Sequence, residues 1–280
     1  ILRKKYRAFS SVLFGGGIST LYYTIAISYH DYHLFGQQSA FLIMTGITLL
    51  SRLASIFYDR RELAIIALLG AFTSPFMVQG ETQNIVVFFT YLAIINSGML
   101  LLSYFKKWNE LSRLAFAFTT LFFGGWFVLQ ATNSVTDTKI TIVFATLYFI
   151  QFLGMNLLYN LVRKVKFNAW EFIQLSSISV LLYTCVIYAL EYQNIGFSGS
   201  SFTLLLSTFF IGLSILVHKI KGTDKALRFL LPGKAVTFLT LFAPLALDGD
   251  HMTIFWAVES IVLLVVGLRY NLKILVNASF

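Results

Sequence analysis

Ten apolar runs, each near the length of a membrane-crossing helix, alternate with short polar segments along the chain. They cover approximately residues 8–29, 38–58, 62–79, 84–105, 110–131, 139–162, 169–190, 201–219, 228–247 and 252–269. Roughly 20 apolar residues at the helical rise match the hydrocarbon thickness of a bilayer. A run such as "FTLLLSTFFIGLSILV" is too long and continuous for a barrel strand, whose lipid face alternates with a polar lumen face. The pattern therefore predicts an all-α, polytopic integral membrane protein with about ten transmembrane helices. Short connections make successive helices antiparallel hairpins. No linker or low-complexity tract interrupts the pattern, so residues 1–280 read as a single transmembrane helical domain.

Composition agrees with lipid as the solvent. Hydrophobic residues make up 58% of the 280 and charged residues 12%, whereas soluble domains are about half apolar and about a quarter charged. Cys185 is the single cysteine, so no disulfide forms within the chain. Its place inside an apolar run marks it as a small core hydrophobe. The chain opens "ILRKKYR" without a methionine, which suggests that an N-terminal part is missing. The run that follows is too long for a signal peptide and is taken as a membrane helix.

Basic residues set the expected orientation. With ten crossings, 20 of the 21 Lys and Arg fall on the side of the N-terminus, side A, and only Lys139 on side B. Lys234 is counted among the side A group. The positive-inside rule then places side A, with both ends of this chain, in the cytoplasm. The net charge of +9 is thereby explained by topology and by anionic lipid headgroups as partners, not by nucleic acid.

An internal echo appears twice. Pro75 is followed five residues later by Gly80 and six later by Glu81; Pro244 is followed at the same spacing by Gly249 and Asp250. Both motifs fall at the side B end of a helix, so the helices around 62–105 and 228–269 are candidates for a parallel repeat.

Chemistry-bearing residues are few. Glu259 lies seven residues into the last run, about 10 Å below the side B surface at 1.5 Å per residue. An ionised carboxylate there costs a few kcal/mol, so the group is expected to be neutral, paired or facing water. Asn96 and Asn156 lie deep in their runs, where buried amides join helices by hydrogen bonds. Glu259, Asn96 and Asn156 form the candidate substrate or proton pathway. Asp248, Asp250 and His251, with His30 and His33, are side B loop candidates, and they read as solvated rather than metal-binding. Glu171 and Glu191 cap the two ends of one run and are expected at the interface. The run Gly15-Gly16-Gly17 offers close helix packing. Trp108, Trp126, Trp170 and Trp256 near helix ends are expected interface anchors. No catalytic signature is present: Pro232-Gly233-Lys234 lacks the rest of a phosphate loop, and no cofactor or metal is expected.

Three stretches carry a family resemblance. They are Gly15-Gly-Gly-Ile-Ser-Thr-Leu-Tyr-Tyr-Thr24, then Asp59…Leu63-Ala64…Leu69-Gly70-Ala-Phe-Thr-Ser-Pro75, and Pro244-Leu-Ala-Leu-Asp248-Gly249…Trp256-Ala-Val-Glu259. In this order they resemble the bacterial predicted membrane proteins grouped as domain of unknown function 2339. The resemblance implies a bacterial inner-membrane location and a chain that is a fragment of a longer member. It implies that the Pro-Leu-Ala-Leu-Asp-Gly turn and the following Glu are characteristic, and it implies no activity. The first expectation for function is transport, or flipping of a small or lipid-linked envelope solute. The alternative is a non-catalytic subunit scaffolding a cell-envelope complex with other membrane or envelope proteins. An enzyme using side B loop groups is the least supported.

Overall fold

The computed structural model describes residues 7–34, 36–58, 61–77, 85–105, 109–130, 135–163, 166–193, 198–220 and 223–269. Among the described residues the architecture is entirely helical. The helices are α1 (Arg7–His30), α2 (Gln37–Tyr58), α3 (Arg61–Met77), α4 (Ile85–Phe105) and α5 (Asn109–Gln130). They continue with α6 (Val135–Arg163), α7 (Ala169–Gln193), α8 (Gly199–Lys219), α9 (Lys225–Ala246) and α10 (Gly249–Arg269). Each coincides with one predicted run to within a few residues, because lipid-length apolar runs leave the backbone no alternative to internal hydrogen bonding.

Among the described residues, seven helices are long and apolar enough to cross a membrane: α1 and α4 through α9. Shorter apolar stretches lie in α2 and α3, at Ser39–Ser51 and Ala64–Thr73. The outward surface is apolar too; Leu42, Val128 and Leu129 are 72%, 80% and 77% exposed. Such a surface requires a lipid solvent.

Contacts divide the chain into two compact units, the division falling inside α7. One comprises Ile1–Arg163 with Ala169–Leu182, and the other Lys164–Asn168 with Tyr183–Phe280. In the first, α1, α2 and α3 pack on one another, and α4 pairs with α6 and also touches α5. In the second, α8 and α9 form a close pair and α10 packs on α9. Cys185 is fully buried.

The first two resemblance motifs meet physically in the first unit. Gly15 on α1 faces Ile66 on α3, and Gly70 on α3 faces the ring of Tyr22 on α1. Tyr22 is buried, and its hydroxyl lies 2.5 Å from the Thr48 hydroxyl of α2. Glycine is required at 70 because any Cβ there meets the body of that anchored ring. By contrast, nothing stands near a Cβ at Gly16 or Gly17, so only Gly15 of the glycine run serves close packing.

A second anchor is aromatic. Phe89 on α4 meets Phe123 and Trp126 of α5 and Phe144 and Tyr148 of α6, with ring centroids 5.1 to 6.5 Å apart. The Tyr148 hydroxyl also donates to Phe89 O at 3.0 Å. Trp126 is thus a packing residue as well as one near a helix end.

Gly70→Ala is expected to lower stability by about 1–3 kcal/mol through overpacking against Tyr22. Gly16→Ala, with open space and better helix propensity, should be neutral or slightly stabilising. Thermal unfolding of both variants in lipid nanodiscs checks this; indistinguishable melting curves would contradict it.

Candidate functional site

Proline at position i leaves the carbonyl of residue i−4 without its helical N–H. In a lipid-embedded helix that carbonyl must find another donor. Pro75 lies two residues before the end of α3, and its vacated acceptor is Ala71 O. Tyr91, on the second turn of α4, donates its hydroxyl to Ala71 O at 2.8 Å. Pro244 lies two residues before the end of α9, and its vacated acceptor is Thr240 O. Trp256, on the second turn of α10, donates its indole N–H to Thr240 O at 3.2 Å. Pro75 and Pro244 are therefore each answered by an aromatic donor from the next helix, 20 residues from its carbonyl in the first hairpin and 16 in the second. The echo read from Pro75 and Pro244 has this shared geometry. Gly80 and Glu81 lie outside the described residues.

The second clamp carries the candidate acid. Thr240 donates its hydroxyl to Glu259 Oε1 at 2.7 Å, and also lies 3.0 Å from Val236 O of its own helix. Trp256 and Glu259 are three residues apart, so they share one face of α10. That face holds Thr240 twice, by its carbonyl and by its hydroxyl. Trp256 was expected as an interface anchor, and its indole N–H completes this clamp. Glu259 is also further from the start of its helix than the apolar run implied. It stands ten residues after Gly249 and ten before Arg269, the midpoint of α10, because the helix begins three residues earlier than the apolar run.

Lys234 is also mid-helix, six residues before Thr240 and so about 9 Å along α9 from the level of Glu259. It is nine residues after Lys225 and twelve before Ala246 in α9, not at a basic helix end. Its Nζ stands 5.6 Å from the centroid of the Phe210 ring on α8, a cation–π contact. Next to it, Ser207 of α8 donates to Ala235 O at 2.8 Å and ties the two helices.

In the first unit, Asn96 is fully buried near the middle of α4 and donates to Thr119 Oγ1 of α5 at 3.0 Å. That is the helix-joining role expected of it. Asn156 differs: its amide donates within α6, to Phe152 O at 2.8 Å. A residue one turn on, Asn160, makes the cross-helix bond, donating to Glu171 Oε2 of α7 at 3.0 Å. Glu171, in the first turn of α7, is consequently buried. Gln151 of α6 donates to Ala93 O and Ser97 Oγ of α4, both at 2.8 Å.

Sequence reading missed Asn160, Gln151 and the mid-helix place of Lys234. A signal existed for the first two, because Gln151, Asn156 and Asn160 are amides inside one apolar helix. Glu259 and the two asparagines do not form one cluster within either unit: Asn96 and Asn156 belong to the first and Glu259 to the second.

Asp248, Asp250 and His251 are exposed and open α10, where Met252 N–H donates to Asp248 O at 2.9 Å. Acids at a helix start are favoured by its dipole. His30 and His33 are exposed as well, and His33 has a left-handed backbone, φ 47°. Among the described residues no three His, Cys, Asp or Glu gather as metal ligands.

Glu259→Gln, which keeps an acceptor for Thr240, should leave stability close to that of the parent chain. Glu259→Leu should cost about 0.5–1.5 kcal/mol, and nothing further once Thr240 is Val. Denaturation of the single and double variants in detergent measures the coupling; equal costs of Glu259→Leu in both backgrounds would contradict the pairing.

Comparison with curated proteins and with solved structures returns no match. The family model described as "Predicted membrane protein (DUF2339)" matches residues 1–278. An all-helical chain with several membrane-length helices, matched over nearly its whole length, belongs to that family of predicted membrane proteins, DUF2339.

Proposed function

We propose that this protein moves a small or lipid-linked envelope solute across, or between the leaflets of, a bacterial inner membrane. In this reading all ten helices cross the bilayer, and both ends of this chain lie on the cytoplasmic side. The side A bases, Lys234 aside, then sit against the anionic cytoplasmic leaflet.

One observation carries the reading: polar and charged groups sit near the midpoints of helices whose ends and outer faces are apolar or interfacial. Lys234 and Glu259 do so in α9 and α10, Asn96 and Thr119 in α4 and α5. Ionisable residues at this depth are costly and mark substrate or ion pathways. Transporter sites lie near the bilayer midplane. An apolar pair at 234 and 259 would pack the same helices without the cost of the charges.

The scaffold reading has its own support. Asn96 with Thr119, and Glu259 with Thr240, are hydrogen bonds that hold neighbouring helices together. A subunit that only anchors other envelope proteins needs no more than that.

Proteoliposomes containing a fluorescent anionic phospholipid and a membrane-impermeant quencher separate the two. Transport predicts quenching of inner-leaflet lipid by the parent protein, and at least about tenfold slower quenching in Lys234→Met, a loss of about 1.4 kcal/mol of transition-state stabilisation. Quenching no faster than in protein-free vesicles, with a stoichiometric partner recovered by purification at native expression, would favour the scaffold.

A further inference from the structure

We propose that the proline-bearing ends of α3 and α9 are hinges, each latched by the aromatic donor of the following helix, and that Glu259 is coupled to the second latch through Thr240. Both the latches and the coupling stand on the geometry of the hairpins and not on the transport reading.

A proline two residues from a helix end removes a hydrogen bond from the last full turn and pushes the carbonyl four residues back away from the ring. Beyond that point the end is held by fewer internal bonds. In α9 the terminus closes with Leu247 N–H donating to Ala243 O at 2.9 Å. The orientation of the segment after the proline therefore depends on what grips the vacated carbonyl. Tyr91 grips Ala71 O in one hairpin, and Trp256 grips Thr240 O in the other. The donor differs, phenol in one and indole in the other, and stands 20 residues from its carbonyl in the first hairpin and 16 in the second, while proline and carbonyl keep the same place before the helix end. This supports the helices around 62–105 and 228–269 as copies of one hinge-and-latch unit.

The second copy has an added connection. Thr240 has a single hydroxyl hydrogen and two oxygens within reach, Glu259 Oε1 at 2.7 Å and Val236 O at 3.0 Å. When Glu259 takes the hydroxyl, α10 holds Thr240 at two points. When another cationic or hydrogen-bond-donating group occupies Glu259, the hydroxyl turns back to Val236 O and α10 holds Thr240 by Trp256 alone. The first copy has Ala71 in place of Thr240 and Ile94 in place of Glu259, counting three residues on from the latch donor. One hinge is thus passive and the other is read by a carboxyl group.

The test is amide hydrogen exchange of the full chain in lipid nanodiscs, followed by mass spectrometry of peptides covering residues 241–248. Trp256→Phe should raise exchange there about fivefold, the effect of losing one ordinary hydrogen bond. Pro244→Ala restores the helical N–H to Thr240 O, so Trp256→Phe should add little in that background. Unchanged exchange in Trp256→Phe, or the same increase with and without Pro244, would overturn the latch. Glu259→Ala should raise exchange and Glu259→Gln should not; identical behaviour of the two would overturn the coupling. No arm requires a transported solute, so failure of lipid flipping with this exchange pattern intact would sink only the transport reading.

Discussion

A backbone carbonyl inside hydrocarbon has to be given a donor, and the architecture follows from that requirement. It is why the chain is helical wherever it is apolar. It also gives each terminal proline a cost that a neighbouring helix must offset. Here the offset comes from Tyr91 for the carbonyl freed by Pro75, and from Trp256 for the one freed by Pro244. The hydrophobic effect contributes little to bringing such helices together once lipid surrounds them, so packing and a few directed hydrogen bonds set the arrangement. Gly70 against Tyr22 is the packing counterpart of the same logic, and Thr48 fixes that ring in place.

The same requirement reinterprets the acid in the last helix. Glu259 is not an isolated charge in an apolar run. It belongs to a small assembly in which Pro244 frees a carbonyl, Trp256 takes it, and Thr240 offers its hydroxyl to the carboxyl group. The three residues that make the third family-like stretch distinctive, Pro244, Trp256 and Glu259, converge on Thr240, which that stretch does not contain. Lys234 differs in kind: it lies mid-helix on α9, six residues before Thr240, against an aromatic face of α8. Structural economy accounts for the first group and not for the second, which is why the lysine weighs most in the functional reading.

Element positions were legible because lipid leaves a one-dimensional trace: apolar length alone marks a helix, and all ten runs correspond to described helices. Partners were less legible, since a run's period says nothing about which residue of another helix it meets. Hairpin geometry recovers part of this. Folding the chain back about Gly249 sets Glu259, ten residues beyond it, opposite Thr240, nine residues before it. Asn160 with Glu171 follows from a similar fold-back across a short connection. Gln151 with Ala93 spans 58 positions and the whole of α5, and no local pattern encodes it. Lys234 was misplaced because counting bases per side treats every lysine as a terminal anchor, although this one stands mid-helix.

The measurement that bears most directly on this account is a density map of the full chain in a lipid nanodisc, at a resolution that places side chains. The account predicts the Trp256 indole nitrogen on Thr240 O and the Tyr91 hydroxyl on Ala71 O, each within hydrogen-bonding distance. An indole and a phenol turned outward to lipid, with Thr240 O and Ala71 O bound by other donors, would contradict it.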